Sequence, residues 1–144
     1  MIIKSATTAD YDRLMDIWAS AVLATHHFLA EEDFLYFKSI IAEQFFPQVQ
    51  LSGLWDNDGV LQAFLGTAGD MMEMLFVAPE AQGKGYGKTL LQFAITTLHI
   101  CRVDVNEQNE AATGFYLRQG FTIQSRSDKD SMGKDYPILH LSLA

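Results

Sequence analysis

Cysteine is almost absent from these 144 residues: Cys101 stands alone. Without a second thiol no intramolecular disulfide can form, which fits a reducing, cytoplasmic setting. Proline is sparse, at three residues, and there is no linker, repeat or low-complexity stretch, so one domain spanning 1–144 is expected. Basic residues are few: ten Lys and Arg stand against eighteen Asp and Glu, a formal charge of −8. That balance argues against a general nucleic-acid binder. It serves solubility, and by long-range steering it favours cationic partners. No apolar run approaches the roughly 20 residues of a membrane span. The N-terminal "MIIKSATTAD" lacks the charged-then-apolar order of a signal peptide. No His, Cys or Asp spacing reads as a metal site.

What is present is a patterned globular chain, 49% apolar. "MIIKS" reads as a strand. Thr7 with Asp10 offers a capping box before Tyr11, Leu14, Trp18, Ala21, Val22 and Thr25, which fall at helical spacing. A second helix is expected from Glu32 to Phe46, with Pro47 ending it. Strands follow at 49–55, 60–67 and 71–77, the first two joined by a turn at Asn57-Asp58-Gly59. A helix over 85–98, the strand "CRVDV", a helix over 110–119 capped by Asn109 and stopped by Gly120, and the strands "FTIQSRS" and "PILHLSL" complete the chain. The class is mixed α/β.

Between the strand ending at Val77 and the next helix lies "APEAQGKGYGK". The first turn of a helix has backbone N–H groups without internal partners and a partial positive charge, so it accepts phosphate. Gly83, Gly85 and Gly87 remove side chains from the approach, and Lys84 and Lys88 add cationic donors. The Walker pattern is missing, because Gln82 stands where its first glycine belongs. The glycine spacing also departs from the dinucleotide-binding Gly-x-Gly-x-x-Gly.

"LFVAPEAQGKGYGKTLL" resembles the acyl-CoA loop of the GCN5-related N-acetyltransferases, Gln/Arg-x-x-Gly-x-Gly/Ala, filled here by Gln82, Gly85 and Gly87. "NEQNEAATGFYLRQGF" resembles the later motif of that family, through Asn109, Ala112, Phe115, Tyr116, Gly120 and Phe121. The order of elements agrees over essentially the whole length.

The resemblance implies a mixed central sheet of six to seven strands flanked by about four helices, with a splayed strand pair. It implies an acetyl-CoA-dependent N-acetyltransferase that moves the acetyl group directly to a primary amine, without a metal. The cofactor would lie along Leu75, Phe76 and Val77, with its pyrophosphate on the amides of Gly83, Lys84, Gly85, Tyr86, Gly87 and Lys88. A backbone N–H near Leu75 or Phe76 would hold the thioester oxygen. Tyr116 would protonate the departing thiolate, or pack and hydrogen-bond the sulfur. Asn109 would contact the CoA arm, cap its helix, or both. The general base would be Glu73 or Asp104, directly or through water, the alternative for each being a solvated strand residue. Glu73 alternates with Met72 and Met74, so it is expected to face away from both. His26, beside His27, stands in the acceptor wall as a base, an amine contact or a helix-end residue, with Phe28 and Tyr136 as further acceptor-site candidates. Phe34, Tyr36 and Phe37 are expected in the core, Cys101 as a core thiol, and His140 as structural. The acceptor would be a small-molecule or peptide amine, and the protein a monomer or homodimer. The alternative is a non-catalytic acyl-CoA binding or sensing module.

Overall fold

The computed structural model describes residues 1–143. Among the described residues seven strands and four α-helices follow the order β-α-α-β-β-β-α-β-α-β-β, and the chain divides into two compact units, Met1–Ile100 and Cys101–Ala144.

In the first unit β1 (Ile2–Ser5), β2 (Gln50–Trp55), β3 (Leu61–Ala68) and β4 (Met71–Val77) pair antiparallel in that order. Helix α1 (Tyr11–Thr25) buries Leu14, Ile17, Trp18, Ala21 and Val22, the stripe its apolar spacing predicts. Trp18 stacks on Phe34 of α2 (Glu31–Ile40) with ring centroids 5.4 Å apart. Phe46 meets Phe64 of β3 edge-on at 6.0 Å. Each such fully buried side chain is worth roughly 1.5–3 kcal/mol. Phe34 is therefore core, as expected, whereas Tyr36 is exposed and Phe37 half-buried.

The second helix differs from expectation. Its α-helical part stops at Ile40, a π turn covers Ile41–Phe45, and a 3-10 turn covers Phe46–Gln48. Pro47 has no N–H for helical bonding. The wider turn changes the helical phase and lets Ile40, Ile41 and Phe46 all enter the core.

The β2–β3 hairpin forms where the Asp-Gly pair places it, with Gly59 at φ +78°. Asp56 holds the turn by accepting from the N–H groups of Asp58 and Val60 and from Gln62 Nε2 at 2.9 to 3.0 Å. The Gln62 bond is the main reason its carboxyl sits below the ordinary value, and Lys84 of the glycine loop adds to the effect.

Strand β4 carries a bulge. Thr67 pairs with Met72 and Gly66 with Met74, so Glu73 is the inserted residue of the bulge. Neighbouring residues of β3 point to opposite faces, so Met72 and Met74 do too. The expectation that Glu73 faces away from both is corrected: strict alternation fails at the inserted residue.

In the second unit β5 (Arg102–Asn106), β7 (Ile138–Leu143) and β6 (Phe121–Ser127) pair antiparallel, with β7 between the other two. Val103, Val105, Leu139, Leu141 and Phe121 form a buried face. Helix α4 (Glu110–Arg118) packs there, with Tyr116 edge-on to Phe121 at 5.8 Å. Arg102, Asp104, His140 and Ser142 alternate to the opposite face. An irregularity in β6 between Ile123 and Ser125 sets Ser125 opposite His140 and Ser127 opposite Ile138. Without it, Gln124 and Arg126 would take those places.

Candidate functional site

The glycine loop is the clearest feature of the first unit. Helix α3 (Tyr86–Thr96) starts one residue later than the sequence predicts, because Gly85 is its N-cap in the left-handed region. Gly83 and Gly85 have φ of +81° and +80°, where a side chain is strained, and a Cβ on either would meet nothing within 4 Å. Gly87 is different: a Cβ there would touch only Val77 Cγ2, at an ordinary 3.6 Å. Thr89 N–H donates to Gly85 O at 2.9 Å, the first bond of the helix. Gln82 and Gly83 sit in a hydrogen-bonded turn, and among the described residues no backbone or side-chain acceptor takes the N–H groups of 85–88. Gln82, Gly83, Lys84, Gly85 and Lys88 are exposed. Gln82 Nε2 donates to Val77 O at 3.4 Å, so this motif residue ties the loop back to the end of β4. Unpaired amides, open space above the glycines and two lysines fit a pyrophosphate.

Leu75, Phe76 and Val77 are half-buried and run straight into the loop. Leu75 pairs with Leu65 and Phe76 with Phe64. Antiparallel pairing alternates, so one of these two adjacent N–H groups is used on β3 and the other points to the far edge of β4. Glu73 is exposed at the bulge.

His26 caps the C-terminus of α1, its N–H donating to Val22 O at 2.7 Å. The Thr25 hydroxyl gives its one proton to Ala21 O at 2.7 Å, and the same oxygen lies 2.7 Å from His26 Nδ1. Nδ1 must therefore be the donor, which leaves Nε2 as a free lone pair. Burial, and then the neighbouring His27, lower the His26 pKa. Its ring lies 5.1 Å from that of Phe28, so these two acceptor-site candidates stand together.

In the second unit Asn109 Oδ1 accepts the Ala112 N–H at 3.2 Å, a helix N-cap as expected. Tyr116 is 7% exposed, and burial pushes its phenol well above the ordinary value. Its hydroxyl has no hydrogen-bond partner among the described residues. Asp104 is tied up: Oδ1 accepts from His140 Nδ1 at 2.8 Å, and His140 Nε2 lies 2.7 Å from Ser127 Oγ. His140, expected to be structural, is thus joined to a candidate base, and Ser127 had no signal in the sequence. Only the strand register, set by the β6 irregularity, brings it there. Tyr136 is half-buried beyond the turn, its N–H donating to Lys134 O at 2.8 Å. Cys101 is half-buried. The described residues contain no group of three or more His, Cys, Asp or Glu able to hold a metal ion, and no helix long and apolar enough to cross a membrane.

These features define an acyltransferase class of fold and loop. Residues 24–123 match the family model described as an acetyltransferase (GNAT) domain. The chain belongs to that family and is an N-acetyltransferase. It is similar to the peptidyl-lysine N-acetyltransferase YjaB of Salmonella typhimurium, with 34% identity over 140 residues, 96% of this chain and 95% of the relative. It also resembles the solution structure of apo-form YjaB from Escherichia coli: TM-score 0.90, 32% identity, 100% of this chain and 99% of that one. The PaiA N-acetyltransferase of Thermoplasma acidophilum, solved in complex with coenzyme A, shares the fold at a TM-score of 0.75 and 21% identity, over 97% and 98% of the two chains. The fold class expected from the sequence, with six to seven strands and about four helices, is the one observed, with seven strands and four helices among the described residues.

Proposed function

We propose that this chain, working as one domain, transfers the acetyl group of acetyl-CoA directly to a primary amine, with a peptide lysine as the first acceptor to test. The observation that carries this reading is the run of unpaired amides at 85–88 beside two left-handed glycines. The peptidyl-lysine activity in the name of the YjaB relative supports the acceptor, as does the charge of −8.

Acetyl-CoA supplies an activated acyl thioester and a thiolate leaving group. The amides of Gly83 to Lys88, with Lys84 and Lys88, hold its pyrophosphate. Whichever of the Leu75 and Phe76 N–H groups points away from β3 steadies the carbonyl oxygen as charge develops. Holding amine and thioester together lowers the barrier by saving the entropy of their encounter. An ammonium must lose a proton before it attacks, and Glu73 or the Asp104 cluster takes it. Tyr116 gives a proton to the departing sulfur. A phenol raised above 10 is an uphill donor to a thiolate of pKa about 8.5 in water. The transfer balances only where the sulfur is equally short of water, because the same burial raises a thiol.

Calorimetric titration with acetyl-CoA, followed by CoA release over lysine peptides, polyamines and amino acids, tests the reading. No binding at millimolar cofactor would sink it. Binding without turnover on any amine would make the chain an acyl-CoA binding module instead.

A further inference from the structure

Asp104, His140 and Ser127 stand on three neighbouring strands, on one face of the second unit's sheet. The distances are 2.8 Å from Asp104 Oδ1 to His140 Nδ1 and 2.7 Å from His140 Nε2 to Ser127 Oγ. An ionised carboxylate can only accept, so Nδ1 carries the proton, Nε2 is the lone pair, and the Ser127 hydroxyl donates to it. Ser127 Oγ has no other partner among the described residues, so its own lone pairs are open. The side chains of His140 and Asp104 are 35% and 36% exposed, within reach of a solute.

We propose that Asp104, His140 and Ser127 form the proton relay that deprotonates the acceptor ammonium, a role that rests on the acetyl-transfer reading. Ser127 Oγ accepts an N–H of the ammonium while its own proton passes to His140 Nε2, and Asp104 stabilises the imidazolium that results. The freed nitrogen lone pair forms the C–N bond to the acyl carbon as the C–S bond breaks. The thiolate leaves with the proton of Tyr116, the newly bonded nitrogen gives its second proton to water, and water later resets Tyr116 and His140. Arg102 and Asp104 are the only residues of fixed charge on this face of the three strands. Tyr116 packs against the opposite, apolar face through Phe121.

The same three residue types serve as a nucleophilic triad elsewhere, but that chemistry needs N–H donors converging on an oxyanion beside the serine. Ser127 lies within the β6–β7 ladder, opposite Ile138, and begins no helix. The relay role is therefore the one the geometry favours.

The test has a spectroscopic arm and a kinetic arm. Imidazole ¹⁵N shifts of the ligand-free protein at neutral pH should show His140 protonated at Nδ1 and bare at Nε2. Asp104→Asn, which keeps shape, should abolish that preference. His140→Gln and Asp104→Asn should each lower kcat/KM for a lysine peptide by on the order of 10²-fold, with acetyl-CoA affinity within about twofold of wild type (a fold check built into the assay). The loss should shrink as pH rises toward the pKa of the amine, about 10.4, where little ammonium remains to deprotonate. Ser127→Ala should show the same pH-dependent defect. Variants retaining wild-type kcat/KM and pH profile, or the opposite tautomer, would overturn the relay. Acetyl-Ser127 seen by intact mass during turnover would overturn it in favour of a nucleophile. If wild type binds no acetyl-CoA and acetylates no amine, the acetyl-transfer reading fails and takes the relay's role with it, even with the expected tautomer. Turnover in wild type with intact variants fails the relay alone.

Discussion

Alanine at Gly85 and alanine at Gly87 should have opposite effects on stability, although the two positions are two residues apart in one loop. Gly85 has φ of +80°, and a Cβ there meets no atom within 4 Å. The cost of Gly85→Ala is then purely conformational, about 1–2 kcal/mol for an L-residue in the left-handed region. Gly87 lies in the first turn of α3 without positive φ, and its new Cβ would rest on Val77 Cγ2 at 3.6 Å. Gly87→Ala removes backbone freedom from the unfolded chain and should add up to about 1 kcal/mol. For a chain near this size one kcal/mol moves Tm by roughly 2–5 °C. Gly85→Ala should melt roughly 2–10 °C below wild type, and Gly87→Ala at or a few degrees above it. Thermal unfolding by circular dichroism without ligand measures both, and calorimetry with acetyl-CoA then follows affinity. Gly87→Ala should bind within a few-fold of wild type, as the Gly/Ala option at that motif position implies. A Gly85→Ala protein as stable as wild type, or a Gly87→Ala protein that melts well below it, would refute the reasoning.

Lys84→Ala with Lys88→Ala should weaken acetyl-CoA binding by roughly tenfold or more at low salt, and the gap should narrow as salt screens the phosphates. Calorimetry at two ionic strengths checks this, and unchanged affinity contradicts the phosphate assignment. Tyr116→Phe should lower kcat by on the order of 10²-fold with little change in Tm, since the ring packs on Phe115 and Phe121 and the hydroxyl bonds no protein atom among the described residues. An unchanged kcat would remove the phenol from proton transfer. His26 has a lowered pKa in the folded state, so below about 6.5 the unfolded chain binds the extra proton first and stability falls with pH. Wild type should therefore lose more Tm than His26→Gln between pH 7 and 5, and parallel losses would show that His26 is not the source.

The loop was legible in the sequence because it is local. Its glycines, Gln82 and the following helix are contiguous, and the same stretch carries strand, turn and helix start. The caps at Asn109 and Gly120 were legible for the same reason. What could not be read depends on one-residue slips between strands. The bulge at Glu73 reverses the faces of Met72 and Met74, and the irregularity before Ser125 swaps Arg126 for Ser127 beside the β7 face that carries His140. Alternation is a rule about one strand, whereas these contacts are set by pairs. The π turn at Ile41–Phe45 escaped likewise, because only the packing of Phe46 requires it.

The amides of 85–88 have a consequence beyond ligand binding. Groups with no protein acceptor exchange their hydrogens without waiting for the fold to open. In the free protein this stretch should exchange rapidly while β3, buried along most of its length, stays protected. Occupancy by a phosphate-bearing ligand would slow the loop and leave the core unchanged. Hydrogen exchange at Gly85 to Lys88 therefore gauges how much of the protein is loaded, separately from how stable it is, and it does so before any acceptor is known.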